Sequence, residues 1–266
     1  MPRKKHGSKL IKLRSKICFY PSLFPKICVP AFKIFCELFK MRHHFLALSI
    51  LALISFPLHA QSTLAVLNFD NNSLAERARL EPLRYGLAQM FTSALSLVQQ
   101  LRLVERANLN RLIEEMKLAQ AGVIDGPTAQ QVGKVVGAQH VLLGGFVYLP
   151  NKKLRLDARL VQVETGLTIR AGEETGKEGE LFAMVKKLNK KLLRELAVRV
   201  SAAELARLEE ARNVSFAAVL LYSEGITLED RKDFKAARKK YEAALAVANN
   251  FTLAQQRLHE LEKVSQ

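Results

Sequence analysis

Apolar residues are spaced most regularly in the stretch 101–148. A short alternating run at 101–104 predicts a strand, and the next apolar positions return every three or four residues, which is typical of an amphipathic helix. Those helix positions are Leu109, Leu112, Ile113 and Met116. We therefore predict a strand followed by a helix.

Turn and capping residues divide the remainder of this stretch. The pair Asp125-Gly126 ends the first helix, and Pro127 begins a shorter one that ends at Gly137, where a left-handed cap is expected. A buried strand follows at 141–148. The stretch is therefore predicted to form one strand–helix–helix–strand unit of an α/β layer.

Glycines inside this unit carry predictions of their own. Gly133 is expected to let the shorter helix lie close to the sheet, and Gly144-Gly145 to permit a β-bulge. Elsewhere the apolar pattern predicts strands at 63–69, 154–163 and 167–171, a loop at 172–179, and helices at 80–98, 180–200, 201–212 and 251–264. The predicted fold class is α/β: a mixed β-sheet covered by helices, followed by a helical tail.

Charge is unevenly distributed along the chain. The whole chain has 41 Lys and Arg against 25 Asp and Glu, a net charge of +16, but residues 1–60 hold eleven of the basic residues and one acid. Residues 61–266 therefore have a net charge of +6. Because this modest excess is spread over amphipathic helices, it is typical of a solvated surface, and we expect no nucleic-acid partner.

A segment with the features of a protein N-terminus begins at Met41. Residues 42–44 are polar, residues 45–56 are apolar, and the following four end in the small residue Ala60. This is the order of a secretory signal peptide, and its apolar run is shorter than the roughly 20 residues of a membrane-spanning helix. We expect cleavage after Ala60. Residues 1–40 are interpreted as an upstream extension or translation artefact, with a basic presequence or a mitochondrial-type address as the alternative.

The three cysteines, Cys18, Cys28 and Cys36, all precede Met41. We therefore expect the exported chain to form no disulfide and, because no cysteine follows Ala60, to lack a residue for lipid attachment. The cysteine spacing fits no zinc pattern. The expected location is the periplasm, with association with the outer membrane left open and no transmembrane span in the mature chain.

Residues of the central unit carry a family resemblance. The first part of the pattern reads Val104-Glu105-Arg106, Leu109, Leu112, Glu114-Glu115, Leu118 and Gly122. The second part reads Thr128-Ala129, Gly133, Gly137-Ala138, Val141-Leu142 and Gly145. Over residues 63–196 the chain resembles the curli secretion protein family (CsgG-type domains), and it is similar to the related domains of LpoB, of FlgO-like proteins and of the amino-terminal part of TolB.

The resemblance implies a CsgG- or TolB-like mixed sheet at residues 61–200 and a place in the cell envelope. It does not imply one task, because members do different things on one scaffold. Pore-forming members insert long β-hairpins, and each transmembrane strand needs about 9–11 residues. Three predicted core strands use up residues 139–171, so a secretion channel is not expected.

Residues 201–266 are predicted to form a helical linker and a segment that resembles a single tetratricopeptide repeat. The residues that carry this resemblance are Leu221, Gly225, Leu228, Asp233, Phe234, Ala237, Tyr241 and Ala244. About three repeats are needed for independent stability. The tail is therefore expected to dock on the α/β domain or on another copy of the chain.

The sequence lacks the G-x-S-x-G, H-E-x-x-H and G-x-G-x-x-G motifs. The stretch 172–177 imitates a phosphate-binding loop, but it is one residue short and carries acids that would repel phosphate. His140 and His259 have no partners at metal-ligand spacing. We expect no enzyme activity, no catalytic residues, no cofactor and no metal.

We therefore predict a periplasmic, non-enzymatic adaptor or assembly factor that binds another envelope protein in outer-membrane or cell-wall biogenesis. The alternative is an oligomeric component of a CsgG-type secretion or transport assembly, so a homo-oligomer is left open. The tail is expected to provide the contact and the α/β domain a rigid base. The candidate contacts with a partner are Asp70, Asn71, Asn72, Tyr222 and Tyr241.

Overall fold

The structure is a computed structural model that describes residues 61–116, 124–196, 198–209 and 214–264. The predicted upstream extension, the predicted signal peptide and Gly122 lie outside these residues. The described residues belong to one compact unit, His59–Gln266. Within them, no helix has both the length and the apolar character needed to cross a membrane.

Strands and helices alternate in the first part of this unit, and helices make up the last part. The strands are β1 (Ser62–Val66), β2 (Asp70–Asn71), β3 (Leu101–Leu103), β4 (His140–Leu149), β5 (Lys153–Gln162) and β6 (Thr168–Lys177). The helices are α1 (Arg77–Leu80), α2 (Leu83–Leu95), α3 (Arg106–Glu115), α4 (Gly126–Val135), α5 (Leu181–Glu195), α6 (Ala202–Glu209), α7 (Phe216–Asp230), α8 (Phe234–Val247) and α9 (Thr252–Val264). The predicted α/β class with a helical tail is confirmed.

The described strands form one mixed sheet. Its order is β3-β1-β4-β5-β6, with β2 paired to β4 beyond the end of β1. The strands β1, β2 and β3 are parallel to their partners, whereas β4, β5 and β6 form an antiparallel meander. Parallel neighbours need crossover connections, which α2 provides between β1 and β3, and α3 with α4 between β3 and β4.

Two apolar cores lie on opposite faces of this sheet. On β1, Leu64 and Val66 belong to one core, while Ala65 and the following Leu67 belong to the other. This division follows from the alternation of side chains along a strand. The helices α2, α5 and α7 bury the first core, and α3 and α4 cover the second. The sheet is therefore the middle of three layers.

Two helices differ from the bounds that the apolar pattern predicts. The single helix predicted at 80–98 is split into α1 and α2 at Pro82, because proline has no backbone N–H and its ring opposes a continuing turn. The helix predicted at 180–200 is α5, which ends at Glu195 after a short 3₁₀ turn at Glu178–Glu180. Residues 198–200 are not helical.

The antiparallel meander is longer than the apolar pattern indicates. The strand β6 continues through Gly172 to Lys177 and pairs with β5, so the predicted loop at 172–179 is wrong. Its acids lie on a sheet rather than in a loop, and Glu173 accepts a hydrogen bond from Arg155 across the strands at 2.7 Å. The predicted bulge at Gly144-Gly145 is also wrong, since the irregularity lies between Leu160 and Val161.

Two glycine predictions in the central unit are confirmed, whereas the prediction that Asp125-Gly126 ends the first helix is wrong. That helix, α3, ends at Glu115, and Asp125 instead begins α4, where its Oδ1 accepts the Thr128 backbone N–H at 2.9 Å. Gly137 has a φ of 69°, as a left-handed cap requires. A Cβ on Gly133 would lie 2.5 Å from Val163 Cγ2, so the glycine does let α4 lie close to the sheet.

The helical tail docks on the α/β domain, as expected. The helix α7 crosses α2 where Gly86 meets Ser223, and a Cβ on Gly86 would overlap the Ser223 side chain. Tyr222, Tyr241 and Phe251 extend the core of this layer through α7, α8 and the start of α9. The helices of the resembled repeat are therefore present, while the repeat assignment itself stays a prediction.

Candidate functional site

The predicted contact residues Asp70 and Asn71 lie on the short strand β2. The chain leaves the sheet after β1 and returns as β2, which pairs Asp70 with Gly145 and Asn71 with Phe146 of β4. The Asn72 backbone N–H extends this ladder by donating to Phe146 O at 2.9 Å. Residues 70–72 are therefore hydrogen-bonded into the sheet alongside β4.

The side chains of this segment have different exposures. Asn71 is only 4% exposed, its Nδ2 donates to Arg77 O at 2.9 Å, and its Oδ1 accepts the Ser73 N–H at 3.1 Å. The prediction that Asn71 contacts a partner is therefore wrong, because the side chain holds the loop onto α1. Asp70 is partly buried and Asn72 is exposed, so these two remain accessible.

Asp70 and Asn72 lie at an open, polar part of the sheet. Burial raises the pKa of the Asp70 carboxyl above its usual range, although Arg84 and Arg159 act in the opposite direction. A Cβ on Gly145 would lie 2.9 Å from both Asn72 Nδ2 and Asp157 Oδ2, so these side chains meet above the glycine. Charged groups of both signs surround Asp70, which is typical of a solvated surface.

Tyr222 and Tyr241 are packed inside the tail. Both are completely buried, with ring centroids 5.7 Å apart, and Tyr241 Oη donates to Glu229 at 2.8 Å. Burial also raises the pKa of both phenols above the ordinary value. The prediction that these tyrosines contact a partner is therefore wrong, because they fill the space between α7, α8 and α9 in place of an open peptide groove.

A different concave surface lies between the tail and the α/β domain. A groove of about 670 Å³ is enclosed by α2, α5, α6 and α9, and we call it the Asn189 groove. Its apolar lining includes Met90, Leu97, Phe182, Leu208 and Leu253. The sequence does not indicate this surface, because its walls come from four helices that are distant along the chain.

Cationic side chains outnumber acids around this groove. The cations are Lys186, Arg207, Arg257 and Lys263, and the acids are Glu180 and Glu260. Arg257 is held by ion pairs with Glu229 and Glu260, and Lys186 Nζ donates to the backbone oxygen of Glu209 at 2.5 Å. The lining therefore has two more cations than acids, and two of its cations are held by contacts within the protein.

Glu204 fixes the α6 wall of the groove. Its Oε1 accepts the Gln99 backbone N–H at 2.8 Å, and its Oε2 accepts the backbone N–H and hydroxyl of Ser201 at 2.7 and 2.6 Å. The Gln99 and Ser201 hydrogen bonds lower the pKa of Glu204 to about 2. The side chain thereby caps α6 and ties it to the connection between α2 and β3.

Asn189 lines the groove from α5 and is 1% exposed. Neither its Nδ2 nor its Oδ1 has a hydrogen-bond partner among the residues that the structure describes. Every other buried residue of α5 is apolar. The signal in the sequence is therefore a polar residue at a core position of an amphipathic helix. One such residue does not change the prediction of a helix.

The two histidines considered from the sequence lie far apart in the fold. His140 begins β4, with Nδ1 3.2 Å from Ser62 Oγ, and burial lowers its pKa. His259 is exposed on α9 beside the groove. Across the described ranges, no three His, Cys, Asp or Glu side chains come together as metal ligands.

Comparison with known proteins gives a family match for the first part of the chain. Residues 52–153 match the model of the family described as curli production assembly/transport component CsgG. The chain has no match among curated proteins.

Several solved structures are similar to part of this chain. The C-terminal domain of LpoB from Salmonella enterica is 21% identical, covering 47% of this chain and 90% of that one, with a TM-score of 0.36. Lipoprotein GNA1162 from Neisseria meningitidis is 16% identical, covering 53% and 99%, with a TM-score of 0.34. The PelC dodecamer from Paraburkholderia phytofirmans is 15% identical, covering 53% and 91%, with a TM-score of 0.33.

Proposed function

From the match of residues 52–153 to the CsgG family model, we propose that the protein is a non-enzymatic adaptor of the cell envelope. It acts in the periplasm and binds another envelope protein during outer-membrane or cell-wall assembly. The signal-peptide pattern that ends at Ala60 supports this location.

The Asn189 groove is the observation that carries the proposal. Its walls come from both parts of the protein, since α2 and α5 belong to the α/β domain and α9 to the tail. An apolar lining with a charged rim matches the anatomy of protein-binding surfaces, which have an apolar centre and a polar edge. The tail contributes one wall, and the sheet-covering helices supply the rigid base.

Site-specific photo-crosslinking in cells tests this function. The photoreactive residue p-benzoylphenylalanine is placed at Gln256, which is exposed on α9 and lines the groove. The control position is Val135, which is 62% exposed on α4, at the opposite face of the sheet. After irradiation, we expect an adduct with one envelope protein at Gln256 and none with that protein at Val135.

Two other outcomes of this experiment would contradict the proposal. A third position, Asn72, samples the open polar patch on the sheet. An adduct at Asn72 without one at Gln256 would move the binding surface to that patch and remove the role of the groove. No envelope adduct at any of the three positions would reject the adaptor function.

The edge of the sheet favours one second candidate, an oligomeric component of a CsgG-type assembly. The strand β6 lies at the sheet edge. Leu167, directly before it, is 67% exposed, and Ile169, within it, is 37% exposed. An unpaired edge with apolar side chains is a template for pairing with another strand. In the crosslinking experiment, an adduct between two copies of this chain would favour that candidate over the adaptor.

A further inference from the structure

The amide of Asn189 has no hydrogen-bond partner among the residues that the structure describes. It lies on the buried face of α5 between Leu188 and Leu192, which pack into the core of the same layer. A buried amide without hydrogen bonds destabilises a folded protein, because it has lost its contacts with water. Leucine, which occupies other positions of this helix face, would avoid that cost.

The hydrogen-bonding groups of the Asn189 amide indicate which ligand groups would pair with it. An asparagine side chain offers a donor at Nδ2 and an acceptor at Oδ1. A carboxylate would satisfy only the donor, and an ammonium group only the acceptor. In an extended peptide the N–H and the C=O of one residue point to the same side, so the backbone of a single residue satisfies both atoms of Asn189.

The surroundings of Asn189 fit a short peptide. The groove has a volume of about 670 Å³, within the roughly 300–1,000 Å³ of ligand pockets. Apolar side chains such as Met90, Phe182 and Leu253 line it, while Lys186 and Arg207 lie among the cations of its rim. Such a lining favours apolar side chains on the ligand and an acidic group at its edge.

From these contacts we infer that the Asn189 groove binds a short extended segment of a partner protein, with apolar side chains and a flanking acid, in which the backbone N–H and C=O of one residue pair with Asn189. This inference rests on the proposed adaptor function, and it names the chemistry of the partner. The segment need not be long, because the backbone of one residue and a few apolar side chains fill the site.

A peptide selection tests the inference without knowledge of the natural partner. A phage-displayed heptapeptide library is selected on the chain from Gln61 to Gln266, which contains the whole described core. We expect enriched peptides to combine apolar residues with Asp or Glu. Binding of one synthetic selected peptide, followed by ¹⁵N NMR, should shift the side-chain amide resonances of Asn189.

Substitutions in the protein and N-methylation of the peptide then distinguish specific binding from non-specific binding. Asn189→Leu should weaken the selected peptide at least tenfold in fluorescence anisotropy while the variant stays folded. The control Asn108→Leu, at an exposed position on α3, should bind within twofold of the unsubstituted chain. Methylating each backbone nitrogen of the peptide in turn should identify one position at which affinity falls at least tenfold.

Several results would overturn the inference. They are no enriched sequence, equal affinity for Asn189→Leu, or a peptide that tolerates methylation at every backbone nitrogen. If any of these occurs while Gln256 still crosslinks to an envelope protein, the adaptor function stands and only the peptide chemistry is rejected. If crosslinking fails but the peptide depends on Asn189, the groove is a peptide site and the envelope function is rejected.

Discussion

Among single residues, Glu204 accepts three hydrogen bonds that join the start of α6 to the connection between α2 and β3. Its donors are the backbone N–H groups of Gln99 and Ser201 and the Ser201 hydroxyl. All three favour the ionised carboxylate, which is why the pKa of Glu204 falls to about 2 from an ordinary value of 4.5. Protonation of this one group should therefore loosen the α6 wall.

The charge of Glu204 predicts a pH dependence of stability. Because the folded pKa is below the unfolded one, the stabilisation is fully present above about pH 4.5 and is lost as the pH falls towards about 2. Glu204→Gln should lower the urea midpoint at neutral pH and reduce the further loss on acidification. The control Glu164→Gln, in the exposed turn after β5, should follow the unsubstituted protein. An equal acid-induced loss for Glu204→Gln would refute the assignment.

The same scale shows what the sequence could and could not predict about the site. Polarity at Asp70, Asn71 and Asn72 was visible, but burial of Asn71 depends on hydrogen bonds to Arg77 and Ser73 that exist only after folding. The missed groove residue Asn189 is hidden for a related reason. A periodic pattern averages over one polar position, and it is the packing around it that leaves the amide unpartnered.

At the scale of elements, the crossing of α2 and α7 holds the tail on the α/β domain. The two helices approach closely at Gly86 and Ser223, and Ser223 Oγ donates to the Val219 carbonyl within its own helix at 2.7 Å. A Cβ on Gly86 would overlap both Oγ and Cβ of Ser223. The glycine is therefore needed for the helices to pack at this distance.

Gly86→Ala should destabilise the protein although alanine is the better helix former. Forcing the helices apart costs about 1–3 kcal/mol, more than the roughly 1 kcal/mol that alanine gains over glycine in a helix. Urea unfolding measures the net effect. Gly126→Ala is the matched control, since no atom lies within 4 Å of its added Cβ, and Gly86→Ala with Ser223→Gly should recover part of the loss. A Gly86→Ala variant that is more stable than the unsubstituted protein would show that the helix crossing has room for the added methyl group.

Elements with a clear apolar pattern were predictable, and elements without one were not. The strand β5 alternates buried and exposed residues, α5 has one apolar face, and the apolar runs of β1 and β4 are buried on both faces of the sheet. The strand β2 has two residues, which is too short for any period. In β6, exposed polar residues such as Glu173 and Thr175 interrupt the apolar pattern, because the strand lies at the sheet edge with one face in solvent.

At the scale of the whole molecule, the tail and the α/β domain share one apolar core. Leu87 and Phe91 of α2, Leu188 of α5 and Tyr222 of α7 belong to the same cluster. The groove between α2, α5, α6 and α9 therefore exists only while the tail is docked. This arrangement couples the rigid base to the surface that is proposed to receive the partner.

The free energy of unfolding of Asn189→Leu tests most directly whether this groove is a site left open for a partner. Within the described part of the chain this amide has no hydrogen-bond partner, and the substitution replaces it with an apolar side chain of the same number of heavy atoms. Urea unfolding of the chain from Gln61 to Gln266, without any ligand, should show a gain of about 1–3 kcal/mol, while Asn108→Leu should stay within about 0.5 kcal/mol. A loss of stability for Asn189→Leu would contradict the central claim, because it would mean that the amide is already satisfied in the free protein.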